Sequence, residues 1–318
     1  MITIPNVNQI NIKKDMRVKD IILAMENSGV MGAGRLSKAA IISKEMISDK
    51  NCKVFMGLAG AMVPGGMKNI IIDMLENKYV DVFVVTGANL THDLIEALGF
   101  HHGRGTHLVD DKKLHKQGVD RIYDSYMPNK AYESLEDFFE KHLPEIYGKE
   151  LNIKEFLWWL GSKIPAATFK HGSNRSILRS CYEKQIPIFC PALQDSGIGL
   201  MIYNHIAKNK KIKIDAFSDM KEIMGIAWSC KKAGVIYIGG GVPKNYIQQA
   251  MQLSPKSASY GVQITMDRPE PGGSSGAELR EGISWGKMNE KGKFVDLICD
   301  ATIALPLILA YLKDEIKQ

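Results

Sequence analysis

The chain has 318 residues, 45% of them hydrophobic and 24% charged, with a formal net charge of +6. This is ordinary globular composition with ample length for a large core, and it excludes a disordered or fibrous chain. The mild charge does not by itself indicate a nucleic-acid partner, and the basic run at 208–213 has no interleaved aromatics and reads as solvated surface.

No membrane partner is expected either. The longest apolar stretch, Ala301 to Leu312, is too short to span a bilayer and contains Pro306. The N-terminus has no basic segment followed by an apolar run, so no signal peptide is expected. The five cysteines (Cys52, Cys181, Cys190, Cys230, Cys299) include no CxxC pair, which fits reduced thiols in a cytoplasmic protein.

In chain order, residues 1–17 read as a polar arm, and helices are expected over Val18–Ser28 and Leu36–Ser48. Between them Gly32-Ala-Gly34 has the start of a dinucleotide fingerprint, but no apolar strand precedes it. A strand at Lys53–Met56, a glycine-rich turn at Gly57–Gly66 and a helix at Met67–Glu76 follow. The next strand, Val80–Val85, leads into the polar turn Thr86–His92 and a helix at Asp93–Leu98. Two parallel strands joined by a helix make a right-handed βαβ unit, whose strand-end loops are where such sheets bind ligands. Gly60, Thr86 and Gly87 lie in these loops, and His92 is read at the head of the following helix. His101-His102 has no ligand set at metal spacing.

Residues 103–130 read as an excursion with loops. Helices are expected at Tyr132–Tyr147, Ile153–Ile164 and Asn174–Lys184, with Trp158-Trp159 as core or interface anchors. The strand Ile186–Cys190 ends in a loop carrying Asp195, which suits either a ribose hydroxyl pair or a helix N-cap. A short strand at Lys211–Phe217 and a helix at Met220–Lys231 come next. The strand Val235–Ile238 then runs into Gly239-Gly240-Gly241, with Pro243 placed to open a helix. Three glycines let backbone N–H groups approach a phosphate at a helix N-terminus. A strand at Ser259–Thr265 and a closing helix at Ala301–Lys317 complete the pattern. Alternating strands and helices imply an α/β fold, a doubly wound, mostly parallel Rossmann-like sheet with helices on both faces. It reads as a single domain over 18–318 with a helical excursion at about 100–165.

The stretch from Glu270 to Asp300 concentrates the chemistry. Ser275 and Glu278 have capping-box spacing, which predicts a helix from about Gly276 with Glu281 and Trp285 on one face and Gly286 at its end. Lys287 then lies just past the helix, beside an indole, and a strand at Phe294–Cys299 leads to Asp300. A lysine in an aromatic, partly dry pocket has its neutral amine favoured and can form imines. The alternative is a solvated lysine at a helix end.

Ser284-Trp285-Gly286-Lys287, preceded by Ser275-Gly276-Ala277 and Glu281, resembles the active-site segment of the deoxyhypusine synthase family. The resemblance extends over roughly 18–315 and is nearest the archaeal and bacterial branch in Gly57–Gly66 and Thr86–Asp93. It implies an NAD-dependent enzyme, a homotetramer with active sites at subunit interfaces. Such an enzyme moves the aminobutyl group of spermidine, through an imine on Lys287, to a lysine of the hypusine-carrying translation factor.

By position, the resemblance implies that Glu281 and Trp285 line the polyamine pocket, together with Asn245 and Gln249. It places Gly60, Thr86, Gly87, His92, Asp195, Gly239, Gly240, Gly241, Gly272, Ser275, Asp300 and Ala301 on the NAD side. Asn245 and Gln249 replace a histidine and an asparagine of the eukaryotic enzymes, Leu200 and Ser274 stand where those enzymes have acids, and His92 aligns with a family glutamate. Each lost charge-assisted hydrogen bond is worth about 1.5–3 kcal/mol, so a paralogue that makes homospermidine or uses an amine such as agmatine stays open. So does a non-catalytic NAD-binding regulator.

Overall fold

The computed structural model describes residues 4–165 and 175–316. Residues 1–3 of the arm, Asn174 and Lys317 lie outside the described residues. In chain order the helices are α1 (Val18–Ser28), α2 (Met31–Ser48), α3 (Lys68–Glu76), α4 (Gly87–Ala97), α5 (Asp111–Lys116), α6 (Lys130–His142), α7 (Ile153–Lys163), α8 (Ile177–Lys184), α9 (Gly197–Ala207), α10 (Ala216–Ser229), α11 (Gly241–Leu253), α12 (Glu281–Ser284) and α13 (Ala301–Glu315). The strands are β1 (Cys52–Leu58), β2 (Val82–Val85), β3 (Gly103–Arg104), β4 (Val119–Ile122), β5 (Ser125–Pro128), β6 (Glu150–Asn152), β7 (Ile188–Phe189), β8 (Lys213–Asp215), β9 (Lys232–Ile238), β10 (Ala258–Thr265) and β11 (Met288–Ile298).

The chain divides into two compact units, one from Met1–Leu58, Tyr79–Val82 and Ile223–Gln318, the other from Ala59–Lys78 and Phe83–Glu222. In the first, strands run in the order β11-β10-β9-β1, all parallel. The near-continuous apolar run of β9, Val235-Ile-Tyr-Ile238, suits a strand buried on both faces, while β11 at the sheet edge is partly exposed. Val54 pairs with Gly234, and Gly57 with Tyr237, on opposite faces of the sheet. A Cβ built on Gly234 would stand 2.5 Å from Met46 of α2, and one on Gly57 would stand 3.3 Å from Ile247 of α11. Helices therefore cover both faces, as the doubly wound reading requires.

In the second unit β2 pairs with β7 in parallel, Phe83 opposite Ile188. Asp93 of α4, fully buried, accepts from Ile177 N, Leu178 N and Ser176 Oγ, so it ties α4 to the start of α8. The excursion is more ordered than the sequence suggests, since β3, β5 and β4 form an antiparallel sheet and β6 pairs with β8. Trp158 donates its indole N–H to Ile186 O at 2.9 Å.

Some element boundaries differ from expectation for identifiable reasons. Gly32-Ala-Gly34 is helical, because α2 begins at Met31. A Cβ on Gly34 would lie 2.4 Å from the Gly29 carbonyl carbon, so this glycine serves the close approach of α2 to the end of α1. The polar run after Thr86 is the first half of α4, which places His92 in the middle of the helix rather than at its head. α11 begins at Gly241, two residues before Pro243. The helix expected from Gly276 is only the single turn of α12, and β11 starts at Met288, directly after Lys287.

Candidate active site

In the first unit the end of β9, the start of α11 and the segment leading to Lys287 are joined by hydrogen bonds. Gly239 leaves β9 at φ +71° and donates its N–H to Ile264 O at 2.8 Å. A Cβ on Gly240 would lie 2.3 Å from Ser275 Cα, so only glycine fits there. Ser275 Oγ accepts from Gly241 N at 2.8 Å. That bond accounts for the missing capping box: the hydroxyl serves α11 rather than a helix of its own, and Glu278 pairs with Arg280.

One turn into α11, Lys244 is buried and donates through Nζ to Ser274 O at 2.5 Å and Ala277 O at 2.7 Å. Burial pushes its ammonium down to about 8; Asp296 and Glu281 act in the opposite direction, and the charge of Lys287 adds to the fall. Gln263 of β10 donates to Ala277 O at 3.0 Å, and both carboxylate oxygens of Asp296 accept from Leu279 N. Three side chains on the sheet and α11 thus fix the backbone of 274–279. Asp296 is itself raised above the usual carboxylate range, chiefly by burial.

From this anchored segment α12 carries Glu281, exposed, and ends at Trp285, which is 56% exposed. Gly286, at φ +70°, turns the chain back so that Lys287 Nζ lies 4.8 Å from the centroid of the Trp285 ring, within cation–π range. Lys287 N donates to Gly282 O at 2.8 Å, and Lys287 is half-buried. The lysine and indole come together as the sequence predicts, and the charges of Glu281 and Lys287 both reach Lys244.

Other predicted residues are less closely engaged. Asn245 is half-buried and Gln249 exposed on α11. Gly272 is an exposed glycine at φ +75° with open space around it. Asp300 caps α13, its carboxylate accepting from Thr302 N at 2.8 Å and from the Thr302 hydroxyl at 2.9 Å, with Ala301 as the first helical residue.

In the second unit three loops converge. Asn89 Nδ2 donates to Gly60 O at 2.7 Å and to Thr86 Oγ1 at 2.9 Å, while its Oδ1 accepts from Val63 N at 3.1 Å. A Cβ on Gly87 would lie 2.5 Å from the Ser196 side chain. Ser196, not Asp195, is the N-cap of α9, and Asp195 is exposed beside it. His92 Nδ1 lies 3.0 Å from His102 Nε2, and His102 Nδ1 lies 2.8 Å from Glu96 Oε1. Burial and the His102 charge push His92 down to about 4, opposed by Glu96. Of the adjacent histidines, His102 therefore belongs to a side-chain network with His92 and Glu96. Among the described residues no group of three or more His, Cys, Asp or Glu is placed to hold a metal ion.

Lys244, Gln263, Asp296 and Asn89 were missed from sequence. Lys244 had a signal: with Ile247, Gln248 and Met251 it occupies the buried stripe of α11, where a lysine needs partners. The other three are joined to their partners only by the fold.

Comparison with known proteins identifies the family. The family model described as deoxyhypusine synthase matches residues 20–312. A protein of Methanosarcina thermophila named "Probable deoxyhypusine synthase" is 42% identical over 308 residues, covering 96% of this chain and 94% of that one. "Probable deoxyhypusine synthase 1" of Archaeoglobus fulgidus is 41% identical, covering 95% of this chain and 96% of the relative. The crystal structure of a candidate deoxyhypusine synthase from Entamoeba histolytica superposes with a TM-score of 0.66 at 17% identity, over 94% of this chain and 93% of that one, a likeness of fold. The chain belongs to the deoxyhypusine synthase family. It is thereby an enzyme of the aminobutyl-transferase class.

Proposed function

We propose that this enzyme uses NAD to transfer the aminobutyl group of spermidine to a lysine of the hypusine-carrying translation factor, with Lys287 as the imine-forming residue. The observation that carries the reading is Lys287 folded over Trp285 on a backbone fixed by Lys244, Gln263 and Asp296. Trp285 offers a π face to a polyamine cation and Glu281 a carboxylate. Lys287, once neutral, attacks the carbon of the oxidised amine, and the carbon–nitrogen bond to diaminopropane breaks as that amine leaves. In the closing half of the cycle the acceptor lysine displaces Lys287 by the same exchange, and the imine on the acceptor would be reduced by return of the hydride taken from the donor amine.

The residues present fit a dinucleotide. The N-cap of α11 is Gly240, which has no side chain, and a Cβ built on Gly241 would meet nothing within 4 Å among the described residues. Gly241 N is held by Ser275 Oγ, so what α11 offers a pyrophosphate is its positive N-terminal end. We assign Gly239, Gly240, Gly272, Ser275, Asp300 and Ala301 to that role within the first unit; Gly60, Thr86, Gly87, His92 and Asp195 of the second unit, taken by itself, are cofactor contacts by the family resemblance alone. NAD, when bound, supplies the hydride acceptor that oxidises the amine. The reading includes a cytoplasmic homotetramer.

The test follows the two half-reactions separately. Wild-type protein with NAD and spermidine should release diaminopropane without any acceptor protein, and should modify the translation factor when it is added. Lys287→Arg should bind NAD normally and lose transfer at least ~100-fold. Transfer at the wild-type rate by Lys287→Arg would exclude the imine. Release with agmatine or putrescine but not spermidine would move the assignment to a paralogue with another donor, which the absence of acids at Leu200 and Ser274 makes worth measuring.

A further inference from the structure

A polar row crosses the sheet of the first unit. Gln263 of β10 lies opposite Tyr237 of β9 and opposite Asp296 of β11, and residues in register on neighbouring strands share a face of the sheet. Gly57 continues the row on β1, where a built Cβ would stand 3.2 Å from the Tyr237 ring and 3.3 Å from Ile247, so the row faces α11. Tyr237 and Gln263 are 0% and 1% exposed, and Asp296 is half-buried. The positions on either side, such as Ile236, Val262, Ile264 and Leu297, are apolar and buried. Buried polar side chains cost stability unless their hydrogen bonds are made, so three in one row call for a reason.

The row does not satisfy itself. Tyr237 Oη and Gln263 Oε1 have no hydrogen-bond partner among the described residues. Its bonds go instead to one stretch of backbone. Gln263 Nε2 donates to Ala277 O at 3.0 Å, and the Asp296 carboxylate accepts from Leu279 N at 3.0 and 3.2 Å. From Leu279 the hydrogen bonds lead on to the lysine. Leu279 O accepts from Gly282 N at 3.0 Å, and Gly282 O accepts from Lys287 N at 2.8 Å. The Lys287 carbonyl accepts from Ala258 N at 3.0 Å. A Cβ on Gly282 would stand 3.5 Å from Lys287 Cβ, so the turn of α12 lies directly against the lysine.

That turn cannot hold its own shape. α12 has four residues and no side-chain cap, and a single helical turn is unstable in isolation. Its geometry, and with it the direction of Lys287, is set by what grips its ends. We propose that Gln263 and Asp296 are positioning residues for Lys287, fixing the angle at which its amine meets the oxidised carbon of the donor. Lys244 grips the same stretch from α11, at Ser274 O and Ala277 O. This rests on the imine reading above. A row with a purely structural duty would stabilise the fold and leave the reaction rate of Lys287 indifferent to it.

Three substitutions and three measurements test the assignment. Asp296→Leu keeps the branched shape of the side chain and removes both acceptors. Asp296→Asn keeps an oxygen for Leu279 N. Gln263→Met removes the donor to Ala277 O. Amide hydrogen exchange, without any ligand, should be at least ~10-fold faster at Leu279, Gly282 and Lys287 in Asp296→Leu. NAD affinity and the KM for spermidine should stay within about threefold of wild type in all three, because Ser275 keeps its bond to Gly241 N. The aminobutyl adduct on Lys287, trapped with borohydride at timed intervals under saturating NAD and spermidine, should form about 10- to 100-fold more slowly in Asp296→Leu and in Gln263→Met. Asp296→Asn should restore the rate to within about threefold of wild type. The double variant should be slowed by less than the product of the two single effects, since both residues grip one stretch.

Adduct formation at the wild-type rate in folded Asp296→Leu and Gln263→Met overturns the assignment, whatever the amide exchange. So does an Asp296→Asn protein as slow as Asp296→Leu. A fall in NAD affinity equal to the fall in rate marks a general loosening and overturns it too. Gln263→Met, which loses a single hydrogen bond, decides by the same measurements should Asp296→Leu fail to fold. Wild-type protein that binds NAD and forms no adduct refutes the imine reading itself, and this assignment with it.

Discussion

Gly240 decides whether the start of α11 and the segment at Ser275 can touch. Its missing Cβ lets Ser275 come within reach of Gly241 N, and the 2.3 Å separation of a built Cβ from Ser275 Cα involves backbone that cannot swing aside. Gly240→Ala should displace Ser275, cost about 1–3 kcal/mol of stability and weaken NAD binding at least ~10-fold. Melting curves and a binding titration check both; wild-type values in each would mean that the contact carries no weight. Lys244 has a related duty from inside α11. Its ammonium replaces water on two carbonyls of the same segment, and burial keeps it at about 8 rather than the usual lysine range. The turns at Gly239–Gly241 and the meeting of Lys287 with Trp285 were legible from sequence, because glycines announce special backbone and Gly286 turns the chain back. Lys244 was legible only through its place on the buried stripe of α11, since a lysine in an amphipathic helix is ordinarily solvated.

At the scale of elements, the sequence conveyed strands better than helix starts. Apolar runs identified β1, β2, β9 and β10, because strands covered on both faces have little choice of composition. Helix starts failed where polar or glycine residues served tertiary contacts. The early start of α2 goes with Gly34 packing on Gly29, and the early start of α4 with Asn89 bonding to the Gly60 loop and Thr91 accepting from Ile198 N in the first turn of α9. Ser275 had the spacing of a cap and serves another helix.

The junction of α7 and α10 carries a testable charge effect. Asp219 is 2% exposed, its Oδ1 accepts from Lys154 N at 3.3 Å, and its Oδ2 has no hydrogen-bond partner among the described residues. Desolvation raises it from 3.8 to about 7. The folded state thus holds the proton more tightly than the unfolded chain, so this stabilisation is full below about pH 4 and is lost as pH rises through 7. Asp219→Asn should remove that loss and raise Tm at pH 8, by about 2–4 °C for each 1 kcal/mol gained in a domain of 150–250 residues. A lower Tm for Asp219→Asn at pH 8 than for wild type would show that the carboxylate is favourable there.

At the scale of the whole molecule, fold class and family were both readable. Parallel strands with helices on two faces follow from alternating elements, and the Trp285–Lys287 segment carried the family resemblance that the 20–312 match confirms. What the sequence did not convey was the wiring behind the site: Lys244 to Ala277, Asp296 to Leu279, Asn89 between two loops, and Lys68 to His92 through Glu96 and His102. Each joins residues that local patterning does not link, or gives an i,i+4 pair such as His92 and Glu96 a bridging partner from another segment. Among the described residues no helix is long and apolar enough to cross a membrane.

The most direct test of the central claim is to trap the imine. Protein incubated with NAD and spermidine is reduced with borohydride, digested and weighed by mass spectrometry, with Lys287→Arg and NAD-free samples beside it. We predict an aminobutyl adduct on Lys287 that requires both NAD and spermidine and is absent from Lys287→Arg. Protein that binds NAD yet yields no adduct at Lys287 with spermidine, putrescine or agmatine would contradict the assignment of Lys287 as the covalent residue.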